Sequence, residues 1–124
     1  MAQIFVVEDD ADHRAYVKAC LTRLGHEATV FNGGADCLAH LDQQVPEIII
    51  TDVFMPGKDG VELLTELRAK NLDIPVIGMT GGFKGVVKPY ENIFMVLGAN
   101  SVLRKPFGFD ELKSAIAEVH SQAA

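Results

Sequence analysis

Short apolar runs alternate with longer stretches of helical period along this chain, and the alternation occurs five times. The apolar runs predict five strands: Ile4–Val7, Ala28–Phe31, Ile48–Thr51, Pro75–Met79 and Ser101–Arg104. The stretches that follow them carry apolar residues at helical spacing and predict five helices: Asp12–Leu24, Ala35–Leu41, Val61–Lys70, Tyr90–Leu97 and Asp110–Gln122. Five consecutive strand–helix units favour an α/β fold, with a parallel sheet covered by helices on both faces and right-handed crossovers.

The third apolar run differs from the others in having no polar alternation. Ile48–Thr51 consists of β-branched residues only, which is typical of a central parallel strand buried on both faces. In parallel sheets of this type, ligands bind beyond the carboxyl ends of the strands, where the strand order reverses. The residues that follow each predicted strand are therefore the candidates for a functional site.

Length and composition limit the possible classes of protein. The chain length favours a single domain over residues 1–124, and the sequence contains no internal repeat or low-complexity segment. Hydrophobic residues make up 48% and charged residues 23% of the chain, as in an ordinary globular protein. A formal net charge of −6 argues against direct binding to nucleic acid or to an anionic membrane surface.

Other sequence features bear on location and metal chemistry. No apolar run approaches the roughly 20 residues of a membrane span, and the N-terminus lacks a signal-peptide pattern. Cys20 and Cys37 fall in predicted helices and form no metal-binding pair, and the four histidines show no ligand spacing. We therefore expect a cytoplasmic protein with reduced cysteines, and no metal site built on histidine or cysteine.

Charged and hydroxyl side chains follow four of the five predicted strands. Glu8 and Asp9 follow the first strand, and Asp52 follows the third. Thr80 follows the fourth strand and Lys105 the fifth. Because the carboxyl ends of parallel strands meet at one edge of a sheet, we expect these side chains to converge.

The predicted convergence of carboxylates has a chemical consequence. Neighbouring carboxylates repel one another and tolerate close approach only with a cation or a shared proton. Lys105 and one divalent cation together would neutralise Glu8, Asp9 and Asp52. Oxygen ligands without histidine or cysteine favour Mg²⁺ or Mn²⁺. Asp52 is the candidate nucleophile, because it ends the most buried strand, and in-line attack on a phosphoryl group would convert it to an acyl phosphate.

Each of these residues also has an ordinary structural interpretation. Acidic residues at a helix start often cap its N-terminus or interact favourably with the helix dipole, as we expect of Asp10 and Asp12. Taken singly, Asp52 would more often be a turn residue, Lys105 a solvated charge and Thr80 a hydroxyl bonded to backbone. The joint placement of these residues at successive strand ends favours the functional interpretation.

Several motifs together carry a resemblance to a known family. They are IFVVEDD at Ile4–Asp10, DVFMPGKDG at Asp52–Gly60, KPF at Lys105–Phe107, Met79-Thr80 and Gly98-Ala99. With these motifs the chain resembles the receiver domains of bacterial two-component response regulators over essentially its whole length. The resemblance implies a flavodoxin-like, doubly wound sheet of five parallel strands in the order 2-1-3-4-5.

The resemblance also implies a set of metal ligands. Glu8 and Asp9 would organise Mg²⁺ or Mn²⁺, with Asp9 the more direct ligand. Asp52 would be both a ligand and the phosphoryl acceptor. The backbone carbonyl of Phe54 would complete the protein's share of the coordination.

A second group of residues would bind the phosphoryl group once it is attached. By the same resemblance, Thr80 and the Gly81 amide would bind phosphoryl oxygens, and Lys105 would pair with the phosphate. A cis peptide bond between Lys105 and Pro106 would aim the lysine.

Val102 departs from the family pattern, because an aromatic residue often occupies the position three before the lysine and takes part in switching. Tyr90 or Phe94 on the adjoining helix could substitute for it. The loop 81–89 also looks long, and either it is a mobile surface loop or its two lysines, Lys84 and Lys88, meet an acidic partner.

The side chains two positions after Asp52 and Thr80 are Phe54 and Gly82, neither of which can orient a water molecule. We therefore expect slow hydrolysis of the phosphorylated form.

Two functions of different classes compete. In the first, the domain catalyses its own phosphorylation on Asp52 and its own dephosphorylation, and so acts as a switch without being an enzyme for another substrate. In the second, it is a receiver-like interaction module that does not use phosphate, which Val102 leaves open. Two enzyme classes are disfavoured. A phosphatase with an aspartate nucleophile would need an acidic residue at position 54, which is Phe here. A dinucleotide-binding enzyme would need a glycine-rich turn after the first strand, where this chain has acidic residues.

The expected partners follow from the first function. A sensor histidine kinase or a phosphotransfer histidine protein would donate the phosphoryl group. The surface of Tyr90–Leu97, Ser101–Arg104 and Asp110–Gln122 would then bind a downstream target protein by a population shift. Because the sequence contains no effector domain, we expect the output to be binding to another protein, with no direct contact to nucleic acid or membrane.

Overall fold

The computed structural model describes residues 2–53, 60–70, 72–81 and 93–123, with side chains described as far as His120. The strands are β1 (Gln3–Val7), β2 (Glu27–Phe31), β3 (Ile48–Asp52), β4 (Val76–Gly81) and β5 (Ser101–Lys105). The helices are α1 (Ala11–Arg23), α2 (Gly34–His40), α3 (Gly60–Ala69), α4 (described at residues 93–96) and α5 (Phe109–Ala123). Among these helices, none has the length and apolar character needed to cross a membrane.

The strands form one parallel sheet in the order β2-β1-β3-β4-β5. This confirms the expected flavodoxin-like topology. The strand order reverses direction between β1 and β3, which lie side by side at the centre of the sheet. The carboxyl ends of these two strands therefore form the crevice in which ligands of such folds bind.

Several sequence-based boundaries were wrong by one or two residues, and the errors fall on the site. Asp52, Thr80 and Lys105 were expected to follow their strands, but each belongs to its strand. The reason is that the ladder continues to the sheet edge, where Asp52 pairs with Met79, Thr80 with Arg104 and Gly81 with Lys105. These side chains are therefore held by sheet geometry and not by loops. The predicted helix Tyr90–Leu97 is helical at 93–96, and residues 90–92 lie outside the described residues.

Apolar side chains fill both faces of the sheet. On one face, α1 and α5 cover Ile48 and Ile50 of β3. On the other face, α2, α3 and α4 cover Ile49 of the same strand. All five residues of β3 are buried, which confirms its predicted central position. Each fully buried isoleucine contributes about 1.5–3 kcal/mol relative to an exposed one, so this core holds the sheet edge rigidly in place.

The first helix has well-defined ends. The Asp10 side chain accepts hydrogen bonds from the backbone N–H groups of Asp12 and His13, as predicted for a cap. At the other end, Gly25 has a φ of +88° and its N–H donates to the Thr22 carbonyl. The His26 N–H donates to the Leu21 carbonyl, which completes a Schellman motif. The Asp10 cap places the first turn of α1 directly beside the end of β1.

Candidate functional site

Four adjacent strands deliver the predicted site residues to one edge of the sheet. Glu8 and Asp9 follow β1, and Asp52 is the last residue of β3. Thr80 lies near the end of β4, and Lys105 is the last residue of β5. Since β1, β3, β4 and β5 are neighbours in that order, these side chains line a continuous row across the sheet edge.

Three carboxylates converge at this edge. One carboxylate oxygen from each of Glu8, Asp9 and Asp52 lies within 4.8 Å of the other two. Glu8 is fully buried and Asp52 is 8% exposed, whereas Asp9 faces solvent. Hard oxygen donors, two of them buried and one open to solvent, suit a small divalent cation that keeps some water ligands. The donor set therefore fits Mg²⁺ or Mn²⁺, as the sequence predicted.

Lys105 joins two of these carboxylates. Its Nζ atom donates to Glu8 Oε1 at 2.5 Å and to Asp52 Oδ2 at 3.0 Å. The peptide bond between Lys105 and Pro106 is cis, which confirms the expectation drawn from the family. The two hydrogen bonds place the lysine beside the candidate acceptor oxygen, where it could pair with a transferred phosphoryl group.

Burial and charge shift the titration of this cluster. Burial, together with the hydrogen bond and charge of Glu8, raises the pKa of Asp52 to about 7 against the opposing effect of Lys105. Burial also acts to raise the pKa of Glu8, but the hydrogen bonds of Lys105 and Asp52 outweigh it and lower the pKa to about 2. For Lys105, burial is outweighed by the two carboxylates, which raise its pKa. Near neutral pH without metal, Glu8 is ionised and Asp52 is close to its titration midpoint.

The residues expected to bind the phosphoryl group lie at the ends of β4 and β5. Thr80 is 3% exposed and lies one residue before Gly81 at the end of β4. Gly81 is exposed and pairs with Lys105 across the ladder. The backbone carbonyl of Phe54, expected as a metal ligand, lies outside the described residues. Most of the long loop, residues 82–89, lies outside them too.

Sequence reasoning gave no role to Gly60, the first residue of α3. Its N–H donates to the Val53 carbonyl at 3.0 Å. A Cβ atom at Gly60 would lie 2.2 Å from the backbone oxygen of Asp52. Helix α3 can start this close to Asp52 only because position 60 lacks a side chain. A glycine directly before the predicted helix start, eight positions after a candidate nucleophile, was the available signal.

The expected aromatic substitute for Val102 has a defined position. Val102 pairs with Gly78 across the ladder, and the Phe94 ring fills the space that a Gly78 side chain would need. A Cβ atom at Gly78 would lie 2.6 Å from that ring. Phe94 is fully buried, and Gly78 beneath it stands two residues before Thr80 on β4. A role for Phe94 in switching stays a prediction, and Tyr90 lies outside the described residues.

Sequence reasoning also gave no role to His13, because the histidines show no ligand spacing. Its Nδ1 atom lies 2.8 Å from Glu8 Oε1. His13 stands five residues after Glu8, in the first turn of a helix that follows the strand, and this spacing was the only available signal. The contact depends on the angle at which α1 leaves the sheet edge, which periodicity does not predict.

Comparison with known proteins identifies the family. The sequence model described as response regulator receiver domain matches residues 4–117. The chain belongs to the response regulator receiver domain family. Among solved structures, the receiver domain of the Francisella response regulator 1452 is 25% identical, with a TM-score of 0.88 and 100% of each chain covered. FixJ-N is 28% identical with a TM-score of 0.88, over 98% of this chain and 94% of that one.

Curated relatives extend the comparison to longer proteins. The DNA-binding transcriptional regulator NtrC of Escherichia coli is 34% identical over an alignment of 110 positions that covers 87% of this chain and 22% of NtrC. The transcriptional regulatory protein PcoR of Escherichia coli is 33% identical over an alignment of 130 positions that covers 100% of this chain and 55% of PcoR. The receiver domain thus spans about a fifth of the first relative and about half of the second.

Membership in the family carries a general function. Receiver domains are signalling modules of two-component systems, in which histidine kinases phosphorylate them. They bind Mg²⁺ at an acidic pocket, and the cluster of Glu8, Asp9 and Asp52 is an acidic group of that kind.

Proposed function

We propose that this receiver domain accepts a phosphoryl group on Asp52 in a Mg²⁺-dependent reaction and thereby switches a protein-binding surface. The observation that carries the proposal is the position of the Asp52 carboxylate. It shares a cluster of oxygen ligands with Glu8 and Asp9, and its Oδ2 atom is 3.0 Å from Lys105 Nζ. A buried carboxylate near its titration midpoint becomes an effective nucleophile once a cation draws off its proton.

The chemistry is an in-line displacement at phosphorus. An Asp52 carboxylate oxygen forms a bond to phosphorus as the bond to the donor breaks, and a phosphohistidine donor that is protonated on its other ring nitrogen leaves as neutral imidazole. Bound Mg²⁺ would neutralise charge on the transferring phosphoryl oxygens. Lys105 exchanges its contact with Asp52 for one with the phosphoryl group. Thr80 and the Gly81 amide supply hydrogen bonds to the remaining oxygens.

The proposal also includes dephosphorylation of Asp52 by the domain itself. Water attacks phosphorus, the bond to Asp52 breaks, and free phosphate leaves. The residues two positions after Asp52 and Thr80 are Phe54 and Gly82, and neither side chain can orient that water. We therefore expect the phosphorylated state to persist for minutes or longer when no other protein accelerates its hydrolysis.

The output is a change in the surface formed by α4, β5 and α5. A phosphoryl dianion adds charge beside Thr80 and Lys105, which favours one arrangement of these elements over another. Exposed apolar side chains on α4, including Val96 at 86% exposure, provide apolar surface that a protein partner could bury. Its partner would be a downstream target protein, and the donor would be a sensor histidine kinase or a phosphotransfer histidine protein. The domain would act in the cytoplasm without contacting nucleic acid itself.

Intact-protein mass spectrometry tests the proposal. Wild type and Asp52→Asn are incubated with acetyl phosphate, once with Mg²⁺ and once with EDTA. A gain of one phosphoryl group only in wild type with Mg²⁺ is the expected result. If wild type gains no mass from acetyl phosphate or from a phosphohistidine donor, the phosphate-independent interaction module takes the place of this proposal.

A further inference from the structure

One polar contact at the site is not explained by the phosphoryl chemistry. His13 Nδ1 lies 2.8 Å from Glu8 Oε1, and the same oxygen accepts from Lys105. Glu8 is fully buried, and a carboxylate that binds a cation can only accept hydrogen bonds. The hydrogen between the two residues therefore sits on His13 Nδ1, which donates to Glu8.

The His13 ring is held in place on several sides. Its backbone N–H donates to the Asp10 side chain at 3.3 Å. The ring stands edge-on to Phe107, with 5.4 Å between ring centroids, and lies 5.9 Å from the Tyr16 ring. The Tyr16 hydroxyl donates to the Phe107 carbonyl at 2.9 Å, which ties α1 to the segment after Lys105. A ring packed in this way has little freedom to swing, so its Nδ1–H points at Glu8 persistently.

Glu8 needs such a partner more than an aspartate at this position would. A glutamate carboxylate is separated from the backbone by one more rotatable bond, so its position is less well defined by the backbone alone. Apart from His13, the donors to its carboxylate within the described residues are Lys105, Asp52 while it carries a proton, and the Asp10 N–H in a long contact of 3.4 Å. Lys105 is the group that would turn away toward a phosphoryl oxygen. His13 would then be the short hydrogen bond that stays with Glu8.

We propose that His13 is a positioning residue for the cation site: its Nδ1–H fixes the Glu8 carboxylate in the orientation that binds Mg²⁺ while Lys105 moves to the phosphoryl group. This inference rests on the proposed function, since it concerns the same cation site. Hydrogen-bond partners of metal-binding carboxylates commonly change metal affinity about 10- to 100-fold when they are removed. His13 acts through Glu8 and touches neither the phosphoryl group nor Asp52.

Two substitutions separate this role from simple packing of α1. His13→Leu keeps apolar volume against Phe107 and removes the donor. His13→Asn places an amide nitrogen close to the position of Nδ1 and gives up most of the ring packing. His120→Ala is the matched control, because His120 is exposed on α5 and packs near His26, far from the site. Thermal melting without Mg²⁺ verifies that each variant is folded.

The readout is the Mg²⁺ dissociation constant, measured by following backbone amide shifts in an NMR titration of the unphosphorylated protein. His13→Leu is expected to raise the constant about tenfold, His13→Asn to restore most of the affinity, and His120→Ala to leave it unchanged. In phosphorylation by acetyl phosphate, the Mg²⁺ concentration at half-maximal rate should rise by the same factor in His13→Leu, with an unchanged rate at saturation.

The outcomes are distinguishable. A His13→Leu protein that binds Mg²⁺ within twofold of wild type, or more tightly, overturns the proposal while the phosphoryl chemistry stands. Equal loss of affinity in His13→Leu and His13→Asn also overturns it, because packing alone would then set the affinity. If wild type binds Mg²⁺ and His13→Leu does not, but neither is phosphorylated by any donor, the positioning role holds and the proposed function fails.

Discussion

The two edges of this parallel sheet both gather carboxylates, yet only one of them forms a site. At the amino edge, Glu27 and Glu47 are exposed and interact with Gln3. At the carboxyl edge, Glu8 and Asp52 are buried and share Lys105. Water screens the first pair and is largely excluded from the second, so the same charges interact far more strongly there. Burial therefore distinguishes the carboxylate cluster at the carboxyl edge from the solvated carboxylates at the amino edge.

The largest expected effect comes from removing the charge of Lys105, which joins the buried carboxylates of Glu8 and Asp52. Lys105→Met leaves two buried carboxylates without their lysine, and breaking such a pair destabilises the native state by about 3 kcal/mol. Urea unfolding of metal-free protein at pH 7 measures this. The loss should shrink below about pH 5, where Asp52 is protonated in the folded state. A loss under about 0.5 kcal/mol at pH 7 would mean that the cluster is solvated like the amino edge.

Binding of Mg²⁺ should have the next largest effect. The cation relieves repulsion among Glu8, Asp9 and Asp52 only in the folded state, because only folding brings their oxygens within 4.8 Å. At 100 times the dissociation constant, a ligand that binds only folded protein stabilises it by about 2.7 kcal/mol. Differential scanning calorimetry with Mg²⁺, and with Na⁺ at matched ionic strength, measures the gain. Equal melting temperatures in the two salts would contradict a specific site.

Asp52→Asn should stabilise the metal-free protein by about 1–2 kcal/mol, because it removes one charge from the buried cluster. The gain depends on pH. Between pH 3.8 and about 7 the folded state keeps a proton on Asp52 that the unfolded state releases, so wild-type stability falls as pH rises through this window. The variant has no ionisable group at this position, so its stability does not fall for this reason.

Chemical unfolding of wild type and Asp52→Asn at several pH values measures that difference. The advantage of the variant should grow from about pH 4 to about pH 7 and then level off. An advantage that is flat or reversed across the window would show that Asp52 is not crowded in the folded state.

Much of the carboxyl edge was predictable from sequence, for a definite reason. Strand positions follow from apolar runs such as Ile48–Ile50, and strand-end residues of a parallel sheet share an edge whatever the details of packing. The sequence alone therefore predicted that Glu8, Asp52 and Lys105 lie at the same edge of the sheet. The strand order came from the family resemblance, since periodicity does not rank strands.

What could not be predicted depends on contacts between elements. His13 meets Glu8 because α1 leaves the sheet edge at one particular angle. Gly60 and Gly78 leave room for the Asp52 backbone and the Phe94 ring, and neither space is visible in a one-dimensional pattern. The ends of β3, β4 and β5 depend on ladder hydrogen bonds between strands distant in sequence. Each of these features depends on which residues of one element face another element in the folded chain.

The smallest expected effect is that of removing a charge at the amino edge, which serves as the control for removing a charge at the carboxyl edge. Glu27→Gln removes one negative charge, as Asp52→Asn does, and its amide oxygen can still accept the hydrogen bond from Gln3. Because Glu27 is exposed, the free energy of unfolding should change by less than about 0.5 kcal/mol. Gln3, the partner of Glu27, is the first residue of β1, and Glu8 follows the last residue of that strand, so the amino and carboxyl edges lie about 17 Å apart. This distance exceeds the screening length of physiological salt. Stabilisation by Mg²⁺, measured by calorimetry, should therefore equal that of wild type. A clear change in that stabilisation would mean that the net charge of the whole domain, and not the buried cluster, governs cation binding.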